Sequence, residues 1–377
     1  MTKKIYNVAL LLLVLILSLS FLACPAPSGT DAASTSAKAM CVMEASTNRV
    51  LYAQNENAKL PMASTTKIMT AITAIENCPN LDEKFEISPR AVGIGGTSIY
   101  LRKGEAFSMR ELLYGLMLVS GNDASVAIGE RVGGKWESFV ELMNSTAKKI
   151  GAESSHFANT HGLDEKGHYT TAKDLALITS YALQNETFKE VVSTRNTKIV
   201  NTDGKTRYLR NKNRLLNSLD GCNGVKTGFT DDAGRCLVSS CERDGMQLVC
   251  VVLNCGPMFE ESASLLEQGF SEYKLVDLTK GYNFNRFVKL NDAQKEFVEV
   301  GTKGSFFYPL REDELQKVTY TYTLSRCLEG GVEKDKEIGN AQIYFSGRLL
   351  FGEKIYTMEE VRGNTILHKI KNIFKKW

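Results

Sequence analysis

The stretch MASTTKIMTA, Met62 to Ala71, decides how the rest of the chain is read. An apolar run behind Ser-Thr-Thr reads as a helix start with Ser64 at the N-cap. A capping box would then place Glu or Gln three residues on, but the residue there is Lys67. A lysine in the first turn also opposes the positive end of the helix dipole. Residues i and i+3 of a helix share a face, so this spacing puts an amine beside a hydroxyl. An amine made neutral by burial or by a neighbouring cation can accept the serine proton. A lone Ser-x-x-Lys is more often a cap followed by a solvated lysine, so the chemical reading needs support from elsewhere in the chain.

Two other short motifs supply it. Ser120-Gly121-Asn122 separates two helical patterns and can project polar side chains into a cleft. Lys226-Thr227-Gly228 enters a strand-like run. A glycine there admits another segment close to the strand. The Lys-Thr pair can hold a carboxylate by charge and hydrogen bond. Either motif alone is common; the three in this order, on these elements, are specific.

The surrounding pattern is α+β. The segments KAMCVMEAS and RVLYAQ flank a Thr-Asn turn and read as paired strands. A helix is expected from Ser64 to Glu76. Another opens on a capping box, Ser108 with Glu111, and ends at Ser120-Gly121. Helical spacing continues over Asp123 to Val132, Trp136 to Ile150 and Thr171 to Leu183. GRCLVSSCER and MQLVCVVLN then flank Asp244-Gly245, a strong hairpin signal. A last helix is expected from Phe259 to Tyr273. Strands from both ends of this segment thus form one antiparallel sheet, with helices between. From Val276 onward FNRFVKL, KEFVEV, SFFYPL, KVTYTYTL and AQIYFSGRLLF alternate between turns, as in a small all-β domain.

The two ends read differently. Lys3 and Lys4 precede an apolar run from Val8 to Leu22, shorter than the about 20 residues of a spanning helix, so residues 1–24 read as an export signal. Cys24 follows Ala23 at the end of that run and is a candidate lipid attachment point, although Phe21 stands where a lipoprotein site prefers Leu. Residues 25–37 form a polar small-residue linker. In residues 363–377 Ile366, Leu367, Ile370, Ile373, Phe374 and Trp377 recur at helical spacing with four lysines between them, which suits an anionic membrane surface.

The 377 residues suggest two folded units, and the net charge of +3 gives no reason to expect nucleic acid. The nine cysteines show no framework spacing, and Cys41, Cys236 and Cys250 sit in apolar strands as small hydrophobes. With no CxxC and no spaced histidine pair, neither metal nor other cofactor is expected.

Together the three motifs match the signature of penicilloyl-serine enzymes. More closely, the chain resembles the D-alanyl-D-alanine carboxypeptidases, the low-molecular-mass penicillin-binding proteins. The likeness extends through HGLDEKGHYTTAKDLALI, DGCNGVKTGFT and AGRCLVSSCERDGMQLVCVVLN. It implies a β-lactamase/transpeptidase-like catalytic domain over residues 38–275, an antiparallel sheet flanked by helices with a helical subdomain. A C-terminal β domain over 276–360 and an anchor helix over 363–377 would follow. It implies a peptidoglycan stem pentapeptide as substrate, β-lactams as inhibitors, and work at the extracytoplasmic face of the bacterial cytoplasmic membrane.

The resemblance also implies roles. Ser64 would attack the carbonyl between the terminal D-alanines, with Lys67 as general base. Ser120 would relay the proton to the leaving amine, and Asn122 would orient Lys67. Lys226, Thr227 and Gly228 would receive the terminal carboxylate, with Lys226 depressing the pKa of Lys67. The amides of Ser64 and Phe229 would form the oxyanion hole. Three positions depart from the family pattern or stay open. The place of a carboxylate-binding arginine falls nearest Lys212, with Arg210 and Arg214 beside it. Cys222, before the third motif, is either a buried filler or a reactive thiol. His161 is either catalytic or a brace of its loop. The alternatives on the same fold are a β-lactamase, for which the Glu-x-x-Leu-Asn motif is missing and Glu165 lacks the context, and a non-catalytic sensor of wall peptides or β-lactams.

Overall fold

The computed structural model describes residues 35–284 and 286–364. The expectations for the export signal, for Cys24 and for nearly all of the basic terminal helix lie outside those residues. Among the described residues no helix is long and apolar enough to cross a membrane.

Strands β1 (Ala39–Glu44) and β2 (Arg49–Gln54) form the expected first hairpin, with Met40 opposite Gln54. Short hairpins pair β3 (Lys84–Glu86) with β4 (Ala106–Ser108), and β5 (Asn196–Val200) with β6 (Thr206–Arg210). Neither was expected from the sequence, because runs of three to five half-exposed residues carry too little periodicity. Strands β7 (Cys222–Thr230), β8 (Gly234–Arg243) and β9 (Met246–Leu253) complete an antiparallel sheet of order β2-β1-β9-β8-β7. Its central strands are buried on both faces, so they read as near-continuous apolar runs. Alternate residues divide between the faces. Cys41, Met43, Val249 and Val251 pack among the central helices. Met40, Val42, Leu248 and Cys250 pack with Leu265, Leu266 and Phe270 of the last helix.

The helices are α1 (Lys67–Asn77), α2 (Met109–Leu118), α3 (Asn122–Gly133), α4 (Trp136–Ile150), α5 (Ala172–Ala182), α6 (Glu186–Ser193), the single turn α7 (Leu215–Ser218) and α8 (Met258–Glu272). The capping box at α2 forms as expected. The Glu111 amide donates to Ser108 Oγ at 3.2 Å and the Ser108 amide to Glu111 Oε2 at 2.9 Å. Ser64 caps no helix, as the chemical reading of Ser-x-x-Lys requires. Ala63–Thr66 is a 3₁₀ turn without a side-chain cap, and the α-helix begins at Lys67. Thr65 and Thr66 hold that turn instead, donating their hydroxyls to the carbonyls of Met62 (2.6 Å) and Ala63 (2.8 Å).

Beyond α8, β10 (Lys274–Asp277) pairs with β13 (Phe307–Leu310). The other C-terminal strands are β11 (Phe287–Asn291), β12 (Phe297–Gly301), β14 (Val318–Leu324), β15 (Cys327–Glu329), β16 (Glu337–Phe345) and β17 (Arg348–Thr357), in a sheet of order β14-β16-β17-β12-β11-β15. The run AQIYFSGRLLF is two strands, turned at Ser346-Gly347 where both φ angles are positive.

Arg49 reaches across the two domains. Arg49 of β2 pairs with Glu314 at 2.6 Å and donates to the carbonyl of Pro309. Its guanidinium lies over Tyr273, Tyr308 and Phe345, 5.3, 5.0 and 4.8 Å from their ring centres. Glu314 is buried. Deleting one partner of a buried pair strands the other charge, so Glu314→Ala is expected to cost about 3 kcal/mol in urea unfolding. A loss below about 1 kcal/mol, the level of a surface pair, would show that solvent screens the joint.

Candidate active site

The turn before α1 presents Ser64. Ala63 adopts φ 49°, a left-handed conformation that a residue with a Cβ enters only at a cost of roughly 1–3 kcal/mol. Two glycines allow other segments to close on this turn. At Gly162 a Cβ would sit 1.9 Å from the Ala63 carbonyl oxygen. At Gly228 a Cβ would meet the Met62 carbonyl oxygen and the Ser64 amide nitrogen, each at 3.1 Å. The third motif therefore lies against the backbone of the first, as close as a glycine permits.

Lys67 is completely buried. Its Nζ lies 3.1 Å from Ser64 Oγ, 2.6 Å from Asn122 Oδ1 and 2.6 Å from the His161 carbonyl oxygen. Asn122 is oriented by its own contacts. Its Nδ2 donates to the Gly95 carbonyl at 2.6 Å and its amide to the Thr97 carbonyl at 2.7 Å. Burial first, then the charges of Lys226 and Lys212, hold the Lys67 amine well below the ordinary lysine range. Lys226 is buried too, and burial followed by Lys212 brings it down to about 7. Its Nζ donates to the Thr227 carbonyl at 2.8 Å.

Ser120, between α2 and α3, takes φ 68° and is 4% exposed. Among the described residues its Oγ has no hydrogen-bond partner. A cavity of about 890 Å³ is lined by Ser64, Ser120, Thr227, Gly228 and Phe229, along with Thr97, Lys212 and others. Seven residues of the three motifs and the adjacent Phe229 thus converge on one site.

The structure separates the open readings of His161. Its main-chain carbonyl reaches Lys67, while its ring Nδ1 accepts from the Leu163 amide at 3.2 Å, so the ring braces the loop. Cys222 lies opposite Cys241 across β7 and β8, four residues before Lys226, and is half-buried. Glu165 accepts from Asn159 at 2.9 Å and lines a separate cavity with Met62 and Ala63.

Three contributors escaped the sequence reading. Buried Asp123 gathers the amides of Ile99 (3.0 Å), Leu101 (2.9 Å) and Ala124 (2.9 Å) and the Ser98 hydroxyl (2.6 Å), fixing the loop that orients Asn122. Its adjacency to the second motif was the only signal. His168 bonds Thr66 Oγ1 through Nε2 at 2.7 Å and accepts from the Ala158 amide at Nδ1, 3.0 Å away, which fixes a neutral tautomer. Arg235 lines the cavity from β8 with no motif to mark it.

Burial, as the first cause, lowers both His161 and His168 to about 4 from 6.5. The unfolded chain binds these protons near 6.5 and the folded chain only near 4, so stability falls as pH drops through that window. His168→Asn is expected to flatten the slope of unfolding free energy between pH 6.5 and 4; an unchanged slope would show that His168 is not held neutral. Removing Lys226 takes away the largest charge acting on Lys67. Lys226→Ala should therefore move the acidic limb of the pH profile for Ser64 acylation by a fluorescent penicillin to higher pH. A stationary limb would disprove the coupling.

The family profile described as D-alanyl-D-alanine carboxypeptidase matches residues 26–256, and that described as penicillin-binding protein 5, C-terminal domain, matches residues 273–362. The chain is 30% identical over 349 residues to the D-alanyl-D-alanine carboxypeptidase DacF of Bacillus subtilis, covering 90% of each. It superposes on the crystal structure of the D-alanyl-D-alanine carboxypeptidase DacD from Francisella tularensis with a TM-score of 0.67 and 26% identity, over 92% of this chain and 98% of that one. Penicillin binding protein 6B from Escherichia coli gives a TM-score of 0.68 and 26% identity, over 88% and 98%.

Proposed function

Because the chain belongs to the D-alanyl-D-alanine carboxypeptidase family, we propose that its serine peptidase chemistry runs through Ser64 and Lys67. The enzyme is a serine D-Ala-D-Ala carboxypeptidase that acts on peptidoglycan peptides and binds β-lactams. The observation that carries the residue assignment is the surroundings of one amine. A neutral lysine has two N–H bonds and one lone pair. Asn122 Oδ1 and the His161 carbonyl, both at 2.6 Å, take the two hydrogens. The lone pair is left for Ser64 Oγ at 3.1 Å.

In this reading Lys67 accepts the Ser64 proton as Oγ attacks the carbonyl between the two D-alanines. The Ser64 and Phe229 amides hold the oxyanion; the approach of Gly228 to the Ser64 amide supports that pairing. Lys226 and Thr227 hold the terminal carboxylate. The C–N bond breaks and Ser120, whose Oγ is unengaged, passes a proton to the leaving amine. Water then attacks the acyl-enzyme and frees Ser64. A β-lactam acylates the same oxygen and stays.

Residues 38–275 would be the catalytic domain and 276–360 the β domain. Residues 1–24 would direct export, placing the enzyme on the extracytoplasmic face of the membrane, with Cys24 as a candidate lipid site. Residues 363–377 would hold it to the membrane surface as a basic amphipathic helix.

With a peptide ending in D-Ala-D-Ala, wild type should release free D-alanine. Ser64→Ala should release none and lose fluorescent-penicillin labelling, and Lys67→Ala should slow release by roughly 10²–10⁴-fold. Penicillin labelling without D-alanine release would favour the sensor. Truncation after Arg362 should free the protein from membranes; continued binding would move the anchor to the amino terminus.

A further inference from the structure

The cavity beside Ser64 carries more positive charge than one terminal carboxylate requires. Arg210, Lys212, Arg214 and Arg235 line it, and no Asp or Glu does. They come from two separate places. Arg210 ends β6, and Lys212 and Arg214 follow it in a segment tied down at both sides. The Lys212 amide donates to the Leu118 carbonyl at 3.1 Å, and buried Asn213 donates from Nδ2 to the Gly224 carbonyl of β7 at 2.7 Å. Arg235 projects from β8, directly opposite Phe229 in register.

Six arginines outside the cavity are neutralised by an acid. Arg49, Arg110, Arg131, Arg207, Arg243 and Arg311 each have a carboxylate within 3.3 Å. Among the described residues, none of the four cavity cations has a carboxylate partner; Arg214 rests over the Phe259 ring at 5.4 Å. Like charges gathered around a concave wall repel one another and leave a positive field in the cleft. The arrangement is complementary to a ligand with several negative charges.

Resting on the carboxypeptidase reading, we infer that Arg214 and Arg235 are specificity residues for a second carboxylate, on the side chain of the residue preceding the two D-alanines. The preferred substrates are then stem peptides whose third residue ends in a free carboxylate rather than an amide or an amine. In that reading Lys226 and Thr227 meet the terminal carboxylate. A residue adds at most about 3.6 Å of extended chain, so the side chain of the third residue begins within reach of the same cavity. Guanidinium groups suit the task because their planar forks match carboxylate geometry.

The test uses two N-acetyl tripeptides, X-D-Ala-D-Ala, with X either L-aminopimelate or its side-chain primary amide. The peptides lack the preceding glutamate of a stem peptide, so the only carboxylate that differs is the one in question. Wild type should favour the free acid by about 10-fold or more in kcat/KM, and added salt should shrink that ratio. Arg235→Gln and Arg214→Gln should each lower the ratio, and the double variant should bring it near one. The ratio is the readout, so a general loss of activity cancels. Equal rates for both peptides in wild type, or a ratio that survives the double variant, overturns the inference while leaving the carboxypeptidase intact. Release from neither peptide overturns the carboxypeptidase reading and this inference with it.

Discussion

Two lysines buried in one site cannot both hold a proton cheaply, and the active site is organised around that constraint. Each ammonium loses its hydration, a penalty of several kcal/mol per ion even after relaxation. Lys226 depresses Lys67, and Lys212, exposed on the cavity wall, depresses both. Among the described residues no carboxylate pairs with Lys67: Asp123, the acid acting on it, spends its oxygens on the neighbouring loop. A carboxylate at Asn122 would have restored the ammonium and removed the base; the neutral amide at that position accepts a hydrogen bond without fixing a charge.

Placing the amine requires a scaffold that local preferences oppose. Ala63 and Ser120 both adopt positive φ; Ala63 immediately precedes Ser64, and Ser120 lines the cavity. Neighbouring segments hold them there. The threonines after Ser64 bond back to the turn, neutral His168 fastens Thr66, and Gly162 admits the His161 loop against the Ala63 carbonyl. The threonines of Ser-Thr-Thr-Lys are thus as much part of the motif's mechanics as its ends. They explain why the turn is tight without a capping side chain.

The sequence made the α+β layout legible because its strong elements have strong periods: the two-sided burial of β1 and β9, the boxed start of α2, and the Asp-Gly hairpin between β8 and β9. Spacing alone put Ser64 and Lys67 on one helix face; that the other two motifs share their site was legible only through the family resemblance. What it could not show was tertiary. The 3₁₀ turn at Ser64 is met by distant segments at Gly162 and Gly228, contacts that no local pattern records. His161 contributes a carbonyl, and a main-chain group leaves no trace in side-chain pattern. Arg235 lies on an exposed strand end, where an arginine is unremarkable until the cavity beside it is seen.

The Arg49 joint has a mechanical meaning. It grips β2, one edge of the five-stranded sheet, while Lys226-Thr227-Gly228 occupies β7, the other edge. Four inter-strand spacings of about 4.8 Å place roughly 19 Å of hydrogen-bonded sheet between them. A sheet resists shear along its ladders far better than a loop does. The β domain is therefore bolted to the far end of a stiff beam, and the sheet holds that joint and the catalytic cleft at a fixed separation.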